Sequence, residues 1–189
     1  MKNNINKVTW ISENEKDYYP NKYIENKLPS GMYVSKYSQE FGEYLSKFNW
    51  NSDLPFSFFG NSFNLIKDDL DIFWSLKDKY KVNGLEFNRA IMLHGEPGCG
   101  KKYLCRRVAE YFIESYNGIV IYSDEPSDLK GIIENLKLNS NKEDKIMVVI
   151  EDAGILLEKN GVSSTSDIFK NKENEDGIYY LLTTTYEEK

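Results

Sequence analysis

The chain has 189 residues, 24 Lys+Arg against 30 Asp+Glu for a formal net charge of −6, and a 40% hydrophobic share beside 29% charged residues. That balance suits one folded domain of ordinary size, excludes global disorder, and argues against broad coating of nucleic acid. Two cysteines and one histidine exclude a disulfide framework and a Cys/His zinc site.

No apolar run approaches the roughly 20 residues of a membrane span, and the opening MKNNINKVTW lacks the apolar stretch of a secretory leader. The expected location is the cytoplasm, with no membrane partner.

Residues 1–60 form a first unit, rich in Asn, Lys, Tyr and Ser and weak in periodicity. Val8–Ile11 and Met32–Val34 read as short strands, the second after the turn signal Pro29-Ser30-Gly31. The aromatic run Asp53–Gly60 is expected to pack on the domain that begins at residue 61 rather than face water. From residue 61 the pattern becomes regular. Asn61 or Asn64 can cap a helix whose apolar stripe is Ile66, Leu70, Phe73, Trp74, Leu76 and Tyr80. Ala90–Leu93 is a continuous apolar run, the pattern of a strand buried on both faces. A glycine-rich loop comes next, then a helix over Lys101–Tyr116 with Leu104, Val108, Ala109, Phe112 and Ile113 inward. Ile119–Tyr122 is a second buried strand. Ser127 caps a helix carrying Leu129, Ile132, Ile133 and Leu136. Ile146–Ile150 is a third strand, and Ile178–Leu182 a fourth after a polar stretch. Strands alternating with helices spell an α/β fold, a parallel sheet with helices on both faces, over residues 61–189.

Gly95-Glu96-Pro97-Gly98-Cys99-Gly100-Lys101 fits the first seven positions of G-x-x-x-x-G-K-[ST]. The glycines let the backbone curl so that successive N–H groups converge on phosphate oxygens, and the helix after the loop aims its positive end there. Lys101 then reaches the β- and γ-phosphates of ATP, or the β-phosphate of ADP. The stretch expected to hold nucleotide runs on through Lys102 and Tyr103. Lys101 and Lys102 place two cations at a helix start, unfavourable by roughly 0.3–1 kcal/mol each at exposed sites; a polyphosphate reverses the sign. Arg106 and Arg107, one turn on, read as side chains reaching into solvent.

Lys102 departs from the pattern, which places a Mg²⁺-ligating hydroxyl there. An ammonium has donors and no acceptor. Either other groups hold the metal, or Lys102 itself neutralises phosphate and metal binding is weak or absent. Both outcomes harm hydrolysis more than binding. About 50 residues beyond the loop, the third strand delivers Glu151 and Asp152 to its carboxyl end, where open α/β sheets bind ligands. One carboxylate there can hold the water shell of Mg²⁺ and the other can orient an attacking water. Asp124 and Glu125 end the second strand and read as loop acids.

Residues 61–189 resemble the nucleotide-binding core of the AAA+ ATPases. Arg89–Lys101 is similar to that family's first strand and Walker A, Ile146–Asp152 to its Walker B, and Leu181–Lys189 to its fourth strand and sensor 1. The resemblance implies a P-loop fold, catalytic places for Asp152 (polarising water), Glu151 (metal side) and Thr185 (where the family usually has Asn), and Mg²⁺ held near Glu151 and Asp152. The family commonly reads Asp-Glu where this chain has Glu151-Asp152, so Lys102, Thr185 and this pair are three altered positions. The family's sheet order is 5-1-4-3-2, and the family pattern continues past the last matched residue into an arginine finger, a fifth strand and a lid. The phosphate-loop strand is therefore expected at a sheet edge, with Ala90–Leu93 covered by Met32–Val34, another chain, or sequence lost by truncation.

His94 reads as a packed or loop-bracing residue, Cys99 as a small filler within the loop, Cys105 as buried, and Phe73, Trp74 and Tyr80 as core. Phe59, Gly60 and Asn61 lie where AAA+ proteins often wrap adenine. The polar stretch running to Asp176 reads as a loop. Three function classes remain. One is an ATPase that remodels a protein or nucleic-acid client, in a homo-oligomeric ring that supplies the arginine finger. Another is a degenerate scaffold or regulatory module that binds nucleotide without turnover. An anion-binding domain without nucleotide is the third.

Overall fold

A computed structural model of the chain describes residues 9–12, 15–21, 28–39, 42–49, 60–123, 144–154 and 177–185. Four strands come first: β1 (Thr9–Ile11), β2 (Asp17–Asn21), β3 (Gly31–Ser38) and β4 (Gly42–Phe48). After them come α1 (Asn61–Ser75), α2 (Lys77–Val82), β5 (Asn88–Gly95), α3 (Lys101–Tyr116), β6 (Ile119–Ser123), β7 (Ile146–Ile150) and β8 (Ile178–Thr185). All eight strands form one sheet in the order β1-β2-β4-β3-β6-β7-β8-β5. Neighbours from β3 to β5 pair in parallel, and β1, β2 and β4 add an antiparallel flank.

The run β6-β7-β8-β5 has the expected order, with β8 inserted between β7 and β5. Strand alternation sorts the core into two faces. Val120, Tyr122, Met147, Val149, Tyr179 and Leu181 pack under α1 and α3, against Leu70, Phe73, Val108 and Phe112. Ile121, Val148, Ile150, Tyr180 and Leu182 form a second buried cluster on the other face. The arrangement is a mixed α/β fold, a mostly parallel sheet with α1 and α3 on one face. The helix expected after Ser127, the acids Asp124 and Glu125, the aromatic residues 53–59, the polar stretch up to Asp176 and residues 186–189 lie outside the described residues.

Three expectations are corrected. First, Met32–Val34 does not cover Ala90–Leu93; Met32, Tyr33 and Val34 pair with Val120, Ile121 and Tyr122, on the other side of the parallel sheet. The turn before β3 explains the choice. Ser30 Oγ and the Gly31 N–H both donate to the Gly118 carbonyl, at 3.0 and 3.2 Å, which fixes the chain beside the start of β6. Second, β5 is not buried on both faces. Its strand partner among the described residues is β8. Ile91 and Leu93 pack on the helix side while Met92 is 51% exposed, so an apolar run here marks a half-covered edge strand. Third, neither Asn61 nor Asn64 caps α1; Gly60 occupies the N-cap position, without a side-chain cap bond among the described residues. The helical stripe is otherwise as read, with Phe63 added and Leu76 at the break into α2.

Tyr33 shows how tightly the N-terminal strands are joined to the rest. It is fully buried, meets Tyr18 edge to face at 5.4 Å, and its hydroxyl donates to the Pro29 carbonyl at 2.6 Å. Tyr33→Ala is expected to cost about 3–5 kcal/mol, the range for deleting a buried aromatic. Tyr33→Phe, losing only one hydrogen bond, should cost about 1 kcal/mol. Denaturant titration followed by tryptophan fluorescence checks both: an N-terminal flank that frays independently would leave the main midpoint unmoved.

Candidate functional site

The site is built where β5 turns into α3. Gly98 and Gly100 adopt φ of 78° and 92°, left-handed conformations that a side chain resists. A Cβ on Gly95 would lie 3.0 Å from Cys99 Sγ, a tight approach that the thiol would have to shift to relieve. The Cys99 N–H donates to the Glu96 carbonyl at 3.3 Å and tightens the curl. α3 begins at Lys101, and its first-turn N–H groups, which have no partner within a helix, point back into this curl. Lys101 bends over the loop: its Nζ donates to the carbonyls of Gly95 at 2.6 Å and Glu96 at 2.9 Å and lies 3.7 Å from Cys99 Sγ. The Lys101 ammonium and the amide-bearing start of α3 therefore lie at one tight turn, the two kinds of donor that a phosphate group accepts from.

A cleft of about 530 Å³ adjoins the loop, lined by Ser62 from α1, Met92, Leu93 and His94 from β5, and Cys99, Gly100, Lys101 and Leu104. His94 is exposed at this cleft rather than packed. Cys99 is exposed too. Tyr103 is exposed on the outer side of α3, its ring 5.3 Å from the Arg106 guanidinium. Arg107 does not reach into solvent as expected: it pairs with Glu110, both side chains largely covered.

Glu151 reaches the loop from β7. Its N–H donates to the Ser123 carbonyl at 3.1 Å, continuing the β6–β7 ladder by one residue. Alternation turns its side chain to the α3 face, and there Lys102 Nζ donates to Oε2 at 2.9 Å. Lys102 Nζ also lies over the Tyr122 ring, 5.9 Å from its centroid. The second carboxylate oxygen, Oε1, is buried and has no hydrogen-bond partner among the described residues. Asp152 leaves the strand at φ 48°, and its N–H donates to Thr183 Oγ1 at 3.1 Å.

Thr183 is a contact that the sequence reading missed. It is buried in β8 and steers the turn carrying Asp152. Its signal was the alternation along β8: Tyr179 and Leu181 face α3, so Thr183 must as well. Thr185 is exposed and pairs with Gly95 at the end of the β5–β8 ladder.

These residues suit a coordinated Mg²⁺ poorly. Mg²⁺ takes oxygen ligands in near-octahedral order, while Lys102 offers only N–H donors and engages one Glu151 oxygen. Among the described residues no group of three or more His, Cys, Asp and Glu side chains is placed to hold a metal.

No family model matches the chain and no curated protein matches it. Among solved structures it is similar to C. elegans PCH-2, at 18% identity and a TM-score of 0.48, over 68% of this chain and 37% of that one. The chain thus spans little more than a third of that protein's length. Among the described residues no helix is long and apolar enough to cross a membrane.

The two thiols are set apart by burial. Cys99 is exposed at the loop, whereas burial, with the nearby Glu151 charge adding to it, pushes the Cys105 thiol up to about 12. Cys105 is therefore expected to stay protonated and unreactive at pH 8 in the folded chain. A thiol reagent should titrate one cysteine under native conditions and two after denaturation, with peptide mapping placing the native label on Cys99.

Proposed function

We propose that the chain is an ATP-binding module of AAA+ type that grips nucleotide polyphosphate on the Gly95–Lys101 loop and turns it over poorly. The observation that carries this reading is the loop itself. Left-handed glycines, a helix start and the Lys101 ammonium converge on one concavity at the carboxyl end of a parallel strand. The adjoining cleft suits the base and ribose, with Met92, Leu93 and Leu104 supplying apolar wall and Ser62 and His94 polar rim. Lys101 would exchange its two carbonyl acceptors for phosphate oxygens, a charge-assisted bond of greater strength.

Hydrolysis that remodels a protein or nucleic-acid client, in a ring of copies, is the second reading. The position of Glu151 and Asp152 at the carboxyl end of β7 favours it. In that reading Asp152 orients the attacking water, and Thr185 lends one hydroxyl near the γ-phosphate. Lys102 opposes it by engaging Glu151, and a nucleotide-responsive scaffold or regulatory module then fits better than a motor.

Calorimetry with ATP tests the first reading. Binding should be detectable at millimolar nucleotide or below, and Lys101→Ala should weaken it about tenfold or more, the loss of a charged hydrogen bond. No heat and no thermal shift at any magnesium level would remove the reading. Steady-state phosphate release separates the two versions: release indistinguishable from that of Lys101→Ala is expected, and release well above it selects the motor.

A further inference from the structure

We infer that the loop takes its nucleotide as the metal-free polyphosphate, the Lys102 ammonium standing in for the divalent cation and Glu151 holding it in place. The inference rests on the nucleotide-binding reading above and specifies the form of the ligand. Lys102 occupies the second position of α3, directly after the phosphate-loop lysine. Its Nζ is fixed from below by two features: Glu151 Oε2 at 2.9 Å and the face of Tyr122. One of its three donors goes to Glu151, and the others remain for phosphate oxygens.

A metal ion at the same place meets two obstacles. Lys102 supplies no lone pair where a hydroxyl would coordinate, and its charge repels a divalent cation a few ångströms away. Glu151 Oε1 sharpens the point. It is buried without a hydrogen-bond partner among the described residues, where Lys102 balances the carboxylate through its other oxygen. Removing the lysine leaves a buried acid in need of a cation. Replacing it with a hydroxyl should then recreate a place for the metal.

The test is calorimetric titration of the full chain with ATP, once in EDTA and once in excess Mg²⁺ at matched ionic strength. Wild type is expected to bind equally in both, within about threefold. Lys102→Thr should bind about tenfold or more weaker in EDTA and recover in Mg²⁺. Lys102→Arg, which keeps the cation, should retain binding in EDTA and guards against loss through misfolding. Glu151→Gln takes away the carboxylate that holds the ammonium and should weaken binding in EDTA, by a smaller factor than Lys102→Thr; unchanged or tighter binding overturns the holding role of Glu151. In the Lys102→Thr background, the same change should abolish rescue by Mg²⁺. Wild-type binding that requires Mg²⁺ overturns the inference and leaves the nucleotide site standing. Wild-type binding in neither condition overturns the nucleotide reading itself.

Discussion

The common register of the parallel strands is the constraint on which the site depends. Met92 pairs with Leu182, Leu182 with Ile150, and Ile150 with Ser123, so one row of residues crosses four strands. Immediately beyond that row lie Leu93, Thr183 and Glu151, and two steps further Gly95 meets Thr185. Side chains alternate with period two along each strand, so a slip of one residue in β7 would turn Glu151 away from α3. The Lys102–Glu151 contact is therefore set by Met147 and Val149, whose burial under α3 decides which face of β7 continues toward the loop. Core packing and site chemistry are here the same specification.

α1 fixes the other wall of the cleft, and it does so through two aspartates. Asp69 accepts from Arg89 of β5 at 3.1 Å and from Tyr179 of β8 at 3.0 Å. Asp71 accepts from Lys67 at 2.8 Å, from Tyr111 at 3.0 Å and from Tyr116, the last two on α3. Burial pushes the Asp71 carboxyl up, but the bonds from Lys67, Tyr116 and Tyr111 outweigh it and hold the group below its ordinary value. A lowered carboxyl stabilises the fold above its unfolded value and loses that contribution as pH falls through the folded one. At neutral pH the clamp is thus fully made. Asp69 ties the helix whose first turn carries Ser62 to the edge strand and Asp71 ties it to α3, which keeps the cleft walls in one geometry.

Much of this was legible in the residues because local and global signals agree. The helix α3, β7 and the core face of α1 follow from periodicity alone, and the tight turn before α3 follows from glycine spacing joined to that context. What escaped was non-local. The strand β2 contains Pro20, a residue that ordinarily argues against a strand, and its pairing with β1 and β4 carries no short-range signal. The choice of β3 to join β6 was decided by Ser30 and Gly31 bonding to Gly118, a contact 88 residues apart in the chain. Ala90–Leu93 misled because a short apolar run reads alike whether one or both faces are covered. Lys102 was visible as an anomaly, but its partner was not, since nothing in the spacing says which oxygen an ammonium will find.

Electrostatics explains why that partner matters more to the ligand than to the fold. Lys102 is about half exposed, its side chain at 51%, whereas Glu151 is at 14%. An ion pair with one solvated member gains little net stability, within the roughly 0–1 kcal/mol typical of surface pairs. Yet the two ends are unequal: the lysine can relax into water if the pair breaks, and the carboxylate cannot. The asymmetry biases Lys102 toward Glu151 and so toward the loop, although a helix N-terminus repels it. Two cations are thereby concentrated at a site whose own dipole disfavours them, and each is stabilised by a different group, the loop carbonyls for Lys101 and Glu151 for Lys102. Each cation is thus held by a partner outside its own helix turn, and an anion that reached this end of α3 would relieve the repulsion between the lysines and the helix dipole.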